Sequence, residues 1–101
     1  MSDKIYTLDE IKQIASPIAK NHGIVALYLF GSYARGEATP SSDLDFRVDR
    51  GYIVDPLALG GLYCDLEDSF QKKLDVLTTQ MLSSKFLEQI RPEEVLIYAR
   101  S

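Results

Sequence analysis

An unbroken apolar run, Ile24-Val25-Ala26-Leu27-Tyr28-Leu29-Phe30, stands between Gly23 and Gly31. It has the length and β-forming composition of a central strand covered on both faces, so the rest of the chain must supply that cover. The flanks read accordingly. Upstream, Thr7 and Glu10 have the Thr-x-x-Glu spacing of a capping box, and Ile11, Ile14, Ala15 and Ile18 follow at helical steps. Pro17 predicts a kink in this helix, and Asn21-His22-Gly23 predicts its end. Downstream, Tyr33 to Ser42 reads as a short helical turn and a loop. Then Asp43-Leu44-Asp45-Phe46-Arg47-Val48 alternates with period two, setting Leu44, Phe46 and Val48 on one face and Asp43, Asp45 and Arg47 on the other.

The second half repeats the alternation of elements. Asp55-Pro56 has the form of a helix start, with Asp at the N-cap and Pro at the first helical position. Leu59, Leu62, Leu66 and Phe70 continue it, and Gly60-Gly61 weakens it in favour of close packing or backbone approach to a ligand. Lys73 to Thr78 is a predicted strand with Asp75 facing away from Leu74 and Val76. A Ser83-Ser84 cap opens a helix over Lys85 to Arg91, and Val95 to Ala99 predicts a closing edge strand. The order is α-β-α-β-α-β-α-β, an α/β (α+β) arrangement of helices around a small sheet. At 101 residues, with 46% hydrophobic and 26% charged, one domain over residues 1–101 is expected.

Charge narrows the partners. Eleven basic against fifteen acidic residues give a net charge of −4, and no basic stripe is present, so direct grip on nucleic-acid phosphates is not expected. Cys64 stands alone, which fits a reducing compartment. The opening MSDKIYTLDE is too charged for a signal peptide, and no apolar run approaches the ~20 residues of a membrane span. A cytoplasmic location and no membrane contact are therefore expected. The open terminal strand leaves pairing with a partner, or self-association, available.

The acidic residues inside core-like segments point to chemistry. Asp43 and Asp45 leave the same strand face and repel, so a cation between them is called for. Hard oxygen ligands at this spacing suit Mg²⁺ or Mn²⁺, with water and phosphate oxygens in the remaining positions. Asp75 converges on them if its strand is a neighbour, and three carboxylates around metal ions are equipment for phosphoryl transfer. A solvated sheet face, with Asp75 salt-bridged at an edge, is the plainer alternative. Gly31-Ser32 weighs against it. A glycine there lets the backbone approach a phosphate, to which the Ser32 hydroxyl and N–H can donate.

The stretch Gly31-Ser32-Tyr33-Ala34-Arg35-Gly36-Glu37 through Ser42-Asp43-Leu44-Asp45-Phe46 resembles the signature of minimal nucleotidyltransferases of the DNA polymerase beta superfamily. Ten residues lie between Ser32 and Asp43, the family's spacing, and the similarity runs on through the Lys73-Leu74-Asp75-Val76 strand to Tyr98. The resemblance implies the polymerase beta-like fold, a small mixed sheet flanked by helices. It also implies transfer of a nucleoside monophosphate from ATP. Gly31 and Ser32 would hold the triphosphate and Asp43 and Asp45 the metal, while Asp75 would activate the acceptor hydroxyl as base or metal ligand. Arg35 either reaches a phosphate or pairs with Glu37 or a strand carboxylate. Ser42 either touches the γ-phosphate or serves as a cap or turn residue. Arg47 balances the charge of the aspartates whose face it shares, and Phe46 departs from the aliphatic residue common there.

The same resemblance points to toxin-antitoxin pairs, in which such a chain adds AMP to a tyrosine of an all-helical HEPN (higher eukaryote and prokaryote nucleotide-binding) ribonuclease. Two other readings stand beside it. One is a vestigial site that neutralises the toxin by covering it, through Tyr52, Ile53, Val54 and the terminal strand. The other is a stand-alone transferase for a small molecule.

Overall fold

The computed structural model describes residues 4–49, 51 and 56–100. The first helix, α1 (Leu8–Asn21), starts at the capping box. Thr7 Oγ1 accepts the Glu10 N–H at 3.1 Å, and Glu10 Oε1 accepts the Thr7 N–H at 2.9 Å. Thr7→Ala is expected to cost about 1 kcal/mol, read as a lower urea midpoint at unchanged slope. Pro17 lies inside α1, which runs on for another turn to Asn21. Its missing N–H costs one intrahelical bond, but the apolar face of Ile11, Ala15 and Ala19 is fully buried and holds the helix in place.

The remaining elements are β1 (Ala26–Phe30), α2 (Ser32–Arg35), β2 (Leu44–Asp49), α3 (Pro56–Phe70), β3 (Leu74–Thr78), a 3₁₀ turn (Thr79–Met81), α4 (Ser84–Ile90) and β4 (Val95–Ala99). Their order matches the sequence expectation. The strands form one mixed sheet in the order β3-β2-β1-β4. β1 is antiparallel to β2 and β4, and β2 is parallel to β3. The apolar run thus forms an interior strand, and β4 forms an edge. Hydrogen bonding reaches one residue ahead of β1, where Val25 N–H donates to Asp49 O and Val25 O accepts from Arg100 N–H. The start of α3 at Asp55, and the Tyr52-Ile53-Val54 surface, lie outside the described residues.

Period-two alternation sends Leu27, Leu29, Leu44, Phe46, Val48 and Leu74 to one sheet face, where α1 and α3 cover them. Leu62, Leu66 and Phe70 come down from α3 at four-residue steps. Phe46, the departure from the aliphatic pattern, meets Phe70 at a centroid distance of 6.1 Å. Tyr6 closes the end of this core, edge-on to Phe70 at 5.0 Å, with its hydroxyl donating to Phe70 O at 2.8 Å. Of the glycine pair in α3, Gly60 faces open space. Gly61 is a packing residue: a Cβ there would sit 3.1 Å from the His22 ring at the end of α1. The His22 Nε2 in turn pairs with Asp65 at 2.7 Å.

The opposite face carries Arg47, and here the sequence expectation needs correcting. Arg47 does not balance Asp43 and Asp45. Its Nε and Nη2 bind both carboxylate oxygens of Glu94, at 2.6 and 3.0 Å, and its Nη1 donates to Thr79 Oγ1 at 2.8 Å. The guanidinium also lies 4.2 Å from the Tyr28 ring centroid. Its N–H donors are turned to Glu94 and Thr79 rather than to the two aspartates.

Among the described residues no helix is long and apolar enough to cross a membrane.

Candidate active site

The site forms where three strands bring their ends into one row. Register pairs Phe30 with Asp45 across β1 and β2, and Asp45 with Asp75 across β2 and β3. The parallel β2–β3 pairing is what unites residues thirty apart in sequence. Asp43 comes just ahead of the first residue of β2, so it extends from the mouth of the strand rather than from within it. Gly31 follows β1 directly, with φ of +78°, and a Cβ there would run into Asp45 Oδ2. Both conditions require glycine: an L side chain is disfavoured at that φ, and the space is already taken by the carboxylate. Ser32 then opens α2, whose short turn is closed by the Arg35 N–H on Gly31 O at 3.1 Å and the Glu37 N–H on Ser32 O at 2.9 Å.

Electrostatics single out Asp45. Burial first, then the charges of Asp75 and Asp43, and a hydrogen bond shared with Asp75, push its carboxyl up to about 6, against a smaller opposing pull from Arg35. A carboxylate desolvated beside two others is only partly offset by that guanidinium. Among the described residues no three His, Cys, Asp or Glu side chains stand close enough together to hold a metal ion between them. An open set of hard oxygens with an incompletely offset charge nevertheless fits a divalent cation that takes its other ligands from water and phosphate. Asp75, exposed at the outer strand, remains open to an incoming molecule.

Arg35 pairs with Glu37, the alternative open in the sequence, through Nε at 2.6 Å, and with a second carboxylate, Glu93, through Nη1 at 2.9 Å. Ser42 plays a turn role. Its Oγ accepts the Thr39 N–H at 2.8 Å and so shapes the loop that delivers Asp43. Two further residues of the site escaped sequence reasoning. Lys72, 3% exposed, donates from Nζ to Pro40 O at 2.9 Å and ties that loop to the start of β3. Lys72→Met is expected to cost about 1–3 kcal/mol, measured by urea unfolding, with faster amide exchange over residues 39–42. Glu93 accepts the Gly31 N–H at 2.9 Å. No sequence signal marks it, and register accounts for it: continuing the Leu29–Val95 pairing by two residues sets Glu93 opposite Gly31.

Comparison with known proteins bears on this geometry. Residues 12–101 match the family model described as polymerase beta, nucleotidyltransferase. The chain is 36% identical over 88 residues to a provisionally named protein adenylyltransferase of Methanocaldococcus jannaschii, with 87% of this chain and 95% of that one covered. Its fold superposes with a TM-score of 0.75 on a toxin-antitoxin complex containing AMP-PNP, at 20% identity, covering 89% of this chain and 74% of that one. It superposes with a TM-score of 0.70 on a structure of a tri-AMPylated Shewanella oneidensis HEPN toxin with its MNT antitoxin. There identity is 17%, with 93% and 74% covered. The mixed sheet, the glycine turn against Asp45 and the match over nearly the whole chain agree, and the protein belongs to the polymerase beta nucleotidyltransferase family.

Proposed function

We propose that this protein is an antitoxin that transfers AMP from ATP to a tyrosine of a cognate HEPN toxin in the cytoplasm, with Mg²⁺, or Mn²⁺ in its place. The observation that carries the reading is the contact of Gly31 with Asp45, itself in register with Asp75. It sets a turn fit to receive phosphate against carboxylates fit to hold a cation. The resemblance to toxin-antitoxin structures supports the choice of acceptor.

Each residue then has a part. Gly31 leaves room for the triphosphate beside the strand end, and the Ser32 hydroxyl and N–H donate to its oxygens. Asp43 and Asp45, with Asp75 beside them, would hold the cation, which offsets charge on the attacking and leaving oxygens of the α-phosphorus. The Asp75 carboxylate, in reach of solvent, accepts the proton of the acceptor hydroxyl as that oxygen bonds to phosphorus and pyrophosphate departs. Little else is asked of the protein, since positioning and electrostatics carry most of such a reaction.

The test is to mix the protein, Mg-ATP and the co-encoded helical neighbour and record intact masses. Adenylate increments on the neighbour that vanish in Asp43→Ala and Asp45→Ala support the reading. Neutralisation that survives both substitutions with no increment establishes steric covering instead, and an increment on an added small alcohol a stand-alone transferase.

A further inference from the structure

We propose that the Glu93 carboxylate is a resident anion in the phosphate-receiving corner of this site, and that a nucleoside triphosphate binds by displacing it. The inference rests on the reading of Gly31-Ser32 as the triphosphate turn. One oxygen, Glu93 Oε2, accepts both the Gly31 N–H at 2.9 Å and the Arg35 Nη1–H at 2.9 Å. A backbone amide and a guanidinium converging on one anionic oxygen is the same set of donors that a phosphoryl oxygen takes.

The surroundings hold the group there and also let it leave. Backbone at Glu93 is fixed from both sides: its N–H donates to Ile90 O at 3.0 Å, and the neighbouring Glu94 is locked by Arg47. Only the side chain makes the contact with Gly31, and it is 24% exposed. Rotation about its own bonds therefore clears the corner without moving β4. Charge favours the exchange of anions over coexistence. The guanidinium of Arg35 already faces Glu37 and Glu93, and Asp43, Asp45 and Asp75 stand on the other side of Gly31. A polyphosphate entering while Glu93 keeps its place would meet carboxylates on both flanks.

The measurement is the Kd of AMP-PNP with magnesium, by titration calorimetry, for the wild type, Glu93→Gln and Glu37→Gln. Glu37→Gln relieves charge on the same guanidinium but leaves the Gly31 N–H occupied. Displacement predicts binding about tenfold tighter in Glu93→Gln and less than about threefold tighter in Glu37→Gln, since a charged acceptor bound to both donors competes far better than an amide. Glu93→Ala, which removes the acceptor altogether, is expected to show at least the same gain should the glutamine variant melt early. Equal or weaker binding in the Glu93 variants, or an equal gain in Glu37→Gln, overturns the inference while wild-type binding lost in Ser32→Ala upholds the triphosphate turn. No binding by any variant overturns both.

Discussion

Asp45→Asn is expected to lower AMP transfer by at least about 10³-fold while leaving a folded protein that is more stable than the wild type near neutral pH. The loss follows from removing the central carboxylate of the row, the one that contacts Asp75 and faces Gly31, which on the proposed reading would hold the cation that offsets charge developing at phosphorus. The gain follows from linkage. Asp45 titrates at about 6 in the fold against an ordinary 3.8, so the fold favours its protonated form. That favourable contribution is full below the ordinary value and disappears as pH rises through about 6. The asparagine variant should therefore match the wild type near pH 4 and exceed it above pH 7, by on the order of 1–2 kcal/mol after allowance for partial solvent screening. Paired activity assays and urea titrations at several pH values read both effects. Retained activity would place the phosphate chemistry elsewhere, and a stability difference that does not change with pH would remove the electrostatic account of Asp45.

Arg47→Ala should be the most damaging single change outside the apolar core, costing about 3–5 kcal/mol because it leaves a buried glutamate without its partner. The side chains of Arg47 and Glu94 are only 11% and 7% exposed, and the arginine also stacks on Tyr28 and holds Thr79. Against a domain stability of about 5–15 kcal/mol, that loss is large enough to populate the unfolded state at modest urea. The double variant Arg47→Met with Glu94→Leu is expected to recover most of it, since a buried pair replaced by apolar groups is often neutral. Failure of the double variant to recover would mean that the pair supplies more than mutual compensation, such as orientation of the neighbouring Glu93.

The contrast between these residues shows what the amino-acid order could disclose. The faces of Asp45 and Phe46 were legible because they are set locally, whereas Asp43, read as part of the same strand, stands just ahead of it. Alternation places those two on faces, the glycine bounds the strand, and the capping box at Thr7 announces its helix within four residues. Asp75 was half legible: its face followed from Leu74 and Val76, but its nearness to Asp45 depended on which strands are neighbours. Arg47 was not legible: alternation sets it on the face of Asp45, whereas register across the sheet and the turn before β4 bring Glu94 to it from 47 residues away. Glu93 and Lys72 were not legible at all. Each acts through a backbone group, the Gly31 N–H and the Pro40 carbonyl, and a backbone group has no identity in a sequence pattern.

The parallel alignment of β2 with β3 also orders events in time. Hairpin-like neighbours such as β1 and β2 can meet early, but β2 and β3 join only after α3 has crossed over the sheet and the intervening loop has closed. A polypeptide still emerging from the ribosome, with residue 75 not yet released, can hold Gly31 against Asp45 but cannot complete the acidic row. Assembly of the acidic row is thus withheld until β3 has been made and paired, a delay written into the connectivity of the strands.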